Sequence, residues 1–404
     1  MGGLYIGRVE SDGSIRELIR EYLLLGLRFD RIEPGYVDAF TGDPELRRVV
    51  SDEPAPVPAD LARRADELLR EIPPNLDGTR ADFIAAHLRA LACAGRKFAG
   101  EPVGFVEEVR AYFDVSIGSG DAERYRQAHA RLNEVLGGSG TLADRMQAYR
   151  VHDEISAERL SGCIHAFSSA LRDRVRADYR LPEGEVVEYE VVTDKPWSGF
   201  NYYLGGYRSR VAVNADLRQQ MSNLPHLVAH ESYPGHHTEH CRKEVGLVRR
   251  RRQVEESIFL VGTPQCLIAE GLADLGLEVI LGRQPEPVLA GHLRPLGIPY
   301  DADLVAKVAE TVEVLGAVRG NAAIMVHDRG AGVDEVTAYL ARWALMSDAR
   351  AAKQLEFLVD PTWRAYAFCY IEGVRRCREF VGGDPRRFER LVTEQMLPSD
   401  LVAA

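Results

Sequence analysis

The sequence predicts a mainly α-helical protein with one small antiparallel β-sheet set just ahead of an unusual helix. Three observations carry this. Apolar residues recur at helical spacing from residue 15 to about residue 180. A Val-rich stretch with partial alternation and turn residues fills roughly 185–215. Helical periodicity resumes at Leu224 and runs nearly to the end.

Leu18, Tyr22, Leu25 and Phe29 form one apolar stripe, widened by Ile19 and Leu23, so Arg16 to Phe29 reads as a helix. A link containing Pro54, Pro56 and Pro58 follows. Further helices are expected over 59–72, 80–97, 101–115, 121–136 and 141–178. Gly137-Gly138-Ser139-Gly140 is a break, and Thr141 or Asp144 suits the cap after it. Strands are expected at Glu185 to Thr193, Phe200 to Leu204 and Arg208 to Ala215, with Pro196, Gly199, Gly205 and Gly206 in the turns. Pro225 fits the first turn of the next helix and Asn223 the position before it. No repeat of fixed period is present.

The chain has 404 residues, 46% hydrophobic and 27% charged. Those values exclude a disordered or collagen-like chain and leave length for a large core. Fifty Lys and Arg against 61 Asp and Glu give a net charge of −11. Such a chain is a poor general binder of nucleic acid or anionic membrane, so neither is an expected partner. The six cysteines are dispersed without a CxxC pair, which argues for reduced, buried thiols rather than a disulfide framework. Met1 to Ser14 lacks a basic segment followed by a long apolar run, and no stretch reaches 18 apolar residues. The expectation is a cytoplasmic protein, and a homodimer is compatible with it.

Of 11 histidines, five (His226, His230, His236, His237 and His240) fall within HLVAHESYPGHHTEH. His230-Glu231 has the form that opens a zinc-protease motif: the histidine ligates the metal, and the glutamate takes a proton from the water and returns it to the leaving group. The second ligand normally sits four residues on, but that position is Pro234. Treating Pro234-Gly235 as an insertion that bulges the helix makes His236 the second ligand. His237 is the rival, displaced about 10.5 Å along a straight helix from His230. The plain alternative is a histidine-rich surface helix.

A third ligand is expected from the helix that follows Thr263-Pro264. Glu270 is the candidate, completing two histidines and one glutamate with an open water position. Glu278 and Asp274 compete, and Asp274 shares a helix face with Glu270, which suits a partner for a ligand. Zinc is the expected metal, although imidazole and carboxylate suit iron or another divalent ion as well.

HESYPGHH with the later Glu270-Gly271-x-Ala273 resembles the bacterial domain-of-unknown-function family numbered 885, whose hallmarks are an HExxPGHH segment and an EGWA-type segment. Tyr202-Tyr203 with Gly205-Gly206 and Val213-Asn214, Val326-His327-Asp328 with Val333 to Leu340, and Pro361 to Gly373 with Tyr370 and Gly373 are similar to further parts of it. The likeness spans roughly 185–382. It implies a large helical zincin-like body and a metallopeptidase-like activity. The regions read as 1–180, helical, and 181–404, metal-binding with the small sheet, together one compact body. The chain departs from the family at Leu272 and Leu275, in place of Trp and Tyr, and at His237-Thr238-Glu239.

Tyr370 is a candidate catalytic residue beside Glu231, because a phenol can donate to a developing oxyanion. Tyr202, Tyr203, His237 and Arg364 are candidate substrate contacts, Arg364 through a bidentate grip on a carboxylate. Arg249 to Arg252 reads as a solvated helix end. Three functions follow. The first is a metal-dependent hydrolase of peptide or amide bonds. The second is a metabolic or biosynthetic metalloenzyme acting on a small acid. The third is a non-catalytic helical scaffold.

Overall fold

The structure is a computed structural model that describes residues 3–195 and 197–402, so Pro196 lies outside the described residues. The fold is mainly α. Helices α1 (Gly3–Ile32), α2 (Pro44–Asp52), α3 (Pro58–Arg70), α4 (Gly78–Phe98), α5 (Phe105–Phe113), α6 (Ala122–Leu136), α7 (Leu142–His152) and α8 (Ala157–Tyr179) precede a three-stranded sheet. Helices α9 (Leu224–Glu231), α10 (His236–Lys243) and α11 (Pro264–Leu281) follow it. No helix among the described residues is long and apolar enough to cross a membrane.

The α1 stripe behaves as its spacing demands, with Tyr22, Leu25 and Phe29 fully buried. Thr141 caps α7 in a capping box with Asp144. The single helix expected over 141–178 is two, because the chain leaves helical geometry after His152, where Glu154 pairs with Gln220 and Ile155 N–H donates to the Gln219 carbonyl. Asn223 makes no side-chain cap on α9. All six cysteines are free and buried.

The sheet comprises β2 (Val186–Val192), β3 (Gly199–Gly205) and β4 (Arg208–Asn214), in the order β2-β4-β3. It is mixed rather than antiparallel: β3 and β4 form a hairpin, and β2 lies parallel to β4 from Val186 opposite Arg208 to Val192 opposite Asn214. The reason lies in β4. Val211, Ala212 and Val213 are buried in succession, so both faces of that strand are covered and it takes the centre. The chain must then cross the end of β4 between β2 and β3. Asn214 pins that crossing by donating to the carbonyls of Lys195 and Trp197. Two short strands escaped the sequence reading. β1 (Val37–Phe40) pairs antiparallel with β5 (Ile258–Leu260), and the register slips between Val37 and Ala39, so Asp38 is the unpaired residue of a bulge.

Two apolar cores meet at α11. Cys266, Leu267 and Ala269 belong to the core that α1 and α4 share; Ile268, Leu272, Ala273 and Leu275 belong to the core shared with α8 and α9. A helix apolar on nearly every face is a buried one. Gly271 lets it touch the turn at Gly373, because a Cβ at Gly271 would overlap that backbone. Glu270 and Asp274 are therefore carboxylates on an otherwise apolar central helix.

Candidate metal centre

Helix α9 carries His230 and Glu231 in its last turn and stops there. Pro234 lacks the amide a continued helix needs, so the chain turns through Ser232 to Gly235 and restarts at His236. The turn is a break between two helices rather than a bulge within one. It is closed by hydrogen bonds from Gly235 N–H to the Ala229 carbonyl (2.9 Å) and from Thr238 N–H to the Ser232 carbonyl (3.2 Å). A Cβ at Gly235 would overlap the His230 carbonyl, so only glycine permits this close return.

The turn brings the two rings edge to face, with centroids 4.6 Å apart and His236 Nε2 3.1 Å from His230 Nε2. Glu270 completes the group, with Oε2 3.4 Å from His230 Nε2 and Oε1 3.4 Å from His236 Nε2. The three ligand atoms lie within 4.8 Å of one another. Ligands about 2.0–2.1 Å from a tetrahedral ion stand roughly 3.4 Å apart, so the cradle fits a divalent ion of that size. Glu270 Oε2 is buried and without a hydrogen-bond partner, as an oxygen reserved for a metal would be.

The ligands are held from behind. His230 Nδ1 meets Asp274 Oδ1 at 2.7 Å, and His226 Nε2 meets the Asp274 carbonyl at 3.1 Å. Tyr366 donates its hydroxyl to Glu270 Oε1 at 2.8 Å. Burial disfavours charge on each group, but Asp274 outweighs it at His230, which is raised well above the ordinary imidazole range, and His236 with His230 outweighs it at Glu270, which falls below the ordinary carboxylate range. Glu278, the other acid considered, pairs with Arg378.

Glu231 is buried beside the cluster, and burial raises its carboxyl. Its Oε1 would lie 3.2 Å from a Cβ at Gly199, so the start of β3 runs against it. Asn201 of β3 donates to the Glu231 carbonyl at 2.5 Å. The edge strand of the sheet thus stands directly beside the motif helix.

Tyr370 lies in a π-helical turn (Cys369–Gly373), its ring 6.4 Å from that of His230 and 5.6 Å from that of Tyr366. Burial pushes its phenol up, so it is a protonated donor at neutral pH. Tyr202 packs on Phe200 and lies under the guanidinium of Arg210. Tyr203 points to the other face of β3, stacked on His240, and donates to Glu244 at 2.5 Å.

Two expected substrate contacts are corrected. His237 is fully buried between Ser209 (2.8 Å) and Glu185 (3.1 Å), because one step along α10 turns its ring toward β4. Arg364 is committed to Glu108, with Nε at 2.7 Å, and lies over Phe105. Arg249, first of the arginine run, pairs with Glu244 and lies over Tyr207.

Asp38 was not anticipated. It sits in the β1 bulge within electrostatic reach of His236, Glu270 and Glu231, and burial raises its carboxyl to about 7. A lone acid in a four-residue strand, nearly 200 residues before the histidines, gives no local signal.

No family model and no curated protein matches the chain. Among solved structures, it is similar to the putative lipoprotein from Colwellia psychrerythraea, at 14% identity and a TM-score of 0.53, over 86% of this chain and 66% of that one. The match spans just under two thirds of that protein and concerns the fold. It also aligns with the M32 carboxypeptidase from Deinococcus radiodurans R1, at 12% identity and a TM-score of 0.39, over 94% and 89% of the two chains.

Proposed function

We propose that the protein is a metal-dependent hydrolase of peptide or amide bonds, with the zincin-like chemistry that its resemblance to family 885 implies. The observation that carries this reading is the convergence of His230, His236 and Glu270 with spacings that suit one ion, beside a buried Glu231. A divalent ion in this cradle supplies Lewis acidity and lowers the pKa of a coordinated water.

The chain's own residues supply the rest. Asp274 holds the proton on His230 Nδ1 and leaves Nε2 free as a ligand. Glu231, whose raised carboxyl readily takes up a proton, accepts one from the attacking water and returns it to the leaving nitrogen. Tyr370 donates to the oxygen on which negative charge develops. The edge of β3 offers an extended substrate a strand to pair with.

Metal analysis of the purified protein, joined to an assay of Glu231→Gln, tests the reading. Stoichiometric zinc or iron is expected, lost on replacing His230, His236 or Glu270. Glu231→Gln should keep the metal and lose turnover. Protein that takes up no divalent metal refutes the proposal.

A further inference from the structure

A polar cavity lies further along α10 from the cluster, lined among others by Glu239, His240, Lys243, Glu256, Ser257 and Gln265. About 20 Å³ is open there to the centre of a water-sized group. Roughly 10–15 Å³ suffices for one such group, so the cavity takes one or two.

Its walls mostly accept hydrogen bonds. Glu239 is 1% exposed, Ser257 2% and Gln265 5%. Glu239 Oε2, Ser257 Oγ and Gln265 Oε1 have no hydrogen-bond partner among the described residues. Lys243 Nζ is on Glu239 Oε1 at 2.8 Å and Gln265 Nε2 is on Glu256 Oε2 at 3.1 Å, and neither bond reaches Glu239 Oε2 or the Gln265 oxygen. Glu239 Oε2 and Gln265 Oε1 can only accept, so a ligand that satisfies those two oxygens must donate.

Charge and size narrow the choice. Arg249 neutralises Glu244, and Arg80 neutralises Glu255. Glu239 and Glu256 then face only Lys243, and burial raises Glu256 to about 7 against the pull of Lys243. A cation beside Glu256 would favour its charged form. A divalent ion is not indicated, since the group arranged to hold one among the described residues is His230, His236 and Glu270. A planar guanidinium with five N–H donors exceeds the space; an ammonium with three matches it.

We propose that this cavity receives a primary ammonium group of the substrate, a lysine-like side chain whose neighbouring carbonyl lies at the His230–His236–Glu270 cluster. This rests on the hydrolase reading above. Glu239 and His240 follow His236 by three and four residues, on one face of α10 and about 4.5–6 Å along its axis. A flexible four-carbon stem covers that span. Strand β1 makes the same step, from Asp38 near the cluster to Ala39 at the cavity.

The test uses the metal-loaded protein and peptides with lysine, arginine or norleucine on either side of one bond. Charged hydrogen bonds of this kind are worth roughly tenfold to a hundredfold, so kcat/KM for lysine should exceed that for norleucine by about that factor, with arginine below lysine. Glu239→Gln should bring the lysine-to-norleucine ratio close to one while metal content stays. Because that variant strips Lys243 of its partner, Ser257→Ala serves as the milder change, and it should lower the ratio severalfold. Equal rates for lysine and norleucine, or a ratio that survives both variants, overturns the pocket and leaves the hydrolase reading standing. If no peptide is cleaved, calorimetry with lysine amide against norleucine amide still reads the cavity. Equal binding there, as a cavity holding only water would give, overturns the proposal by itself.

Discussion

Asp274 Oδ1 lies 2.7 Å from His230 Nδ1, one helical turn beyond Glu270 on the same face of α11. The ligand and the group that orients another ligand thus come from one rigid helix. Asp274→Asn keeps the shape and removes the charge that fixes the imidazole. Loss of such a partner costs about 10- to 100-fold in metal affinity. Competition against a chelator should show that loss with the fold intact; unchanged affinity would count against a role for Asp274 at the metal.

Tyr366 and Tyr370 predict different failures, although their rings are only 5.6 Å apart. Tyr366 donates to Glu270 Oε1, so Tyr366→Phe should weaken metal binding. Tyr370 makes no hydrogen bond among the described residues, so Tyr370→Phe should leave metal content unchanged. As an oxyanion donor its loss should lower kcat by about 100- to 1000-fold. Full turnover by Tyr370→Phe on a cleaved peptide would move the donor role elsewhere.

The parts of this architecture that were legible in the chain are those set by local spacing. The α1 stripe, a helix cap at Thr141 or Asp144 and the strands around 186–214 follow from side-chain periodicity and turn chemistry. His230, Glu231 and His236 were readable as candidates because a motif concentrates them within one turn and its interruption. What stayed hidden depends on partners distant in sequence. β1 and β5 hold three or four residues each and exist through their pairing with one another. Arg364 looked available because Glu108, its partner 256 residues away, gives no sign beside it. His237 looked like a ligand or substrate contact until the break at Gly235 set which way α10 turns.

Glu185 links the sheet to α10 and sets an acid limit on stability. It is fully buried and accepts from Arg172 (2.6 Å), Tyr233 (2.7 Å) and His237 (3.1 Å). Burial pushes its carboxyl up, but those hydrogen bonds outweigh burial and hold it at about 2, against 4.5 ordinarily. A lowered folded value means the unfolded chain binds the proton more tightly. The stabilisation is therefore complete above about pH 4.5 and fades as the pH falls toward 2, by up to about 3 kcal/mol. Denaturant melts from pH 6 to 3 should show this loss, and Glu185→Gln should flatten it. An unchanged acid slope in the variant would mean other carboxylates set the limit.

Gly235→Ala tests whether the break between α9 and α10 builds the metal centre. The added Cβ would overlap the His230 carbonyl, a backbone atom in the last turn of α9 that cannot rotate aside. Pro234, on the other side, packs within 3.0 Å of where a Cβ at Gly276 would stand, so the turn has no room to retreat toward α11. The chain must open the turn, at a cost of roughly 1–3 kcal/mol or more. Opening it carries His236 away from His230, because the hydrogen bond from Gly235 N–H to Ala229 is what closes the turn. Metal affinity and stability should therefore fall together. Gly246→Ala is the control, since a Cβ there meets nothing within 4 Å, and its effect should stay within about 0.5 kcal/mol. Metal affinity equal in both variants would show that the ligands find each other without this turn, and the argument from Pro234-Gly235 to His236 would fall.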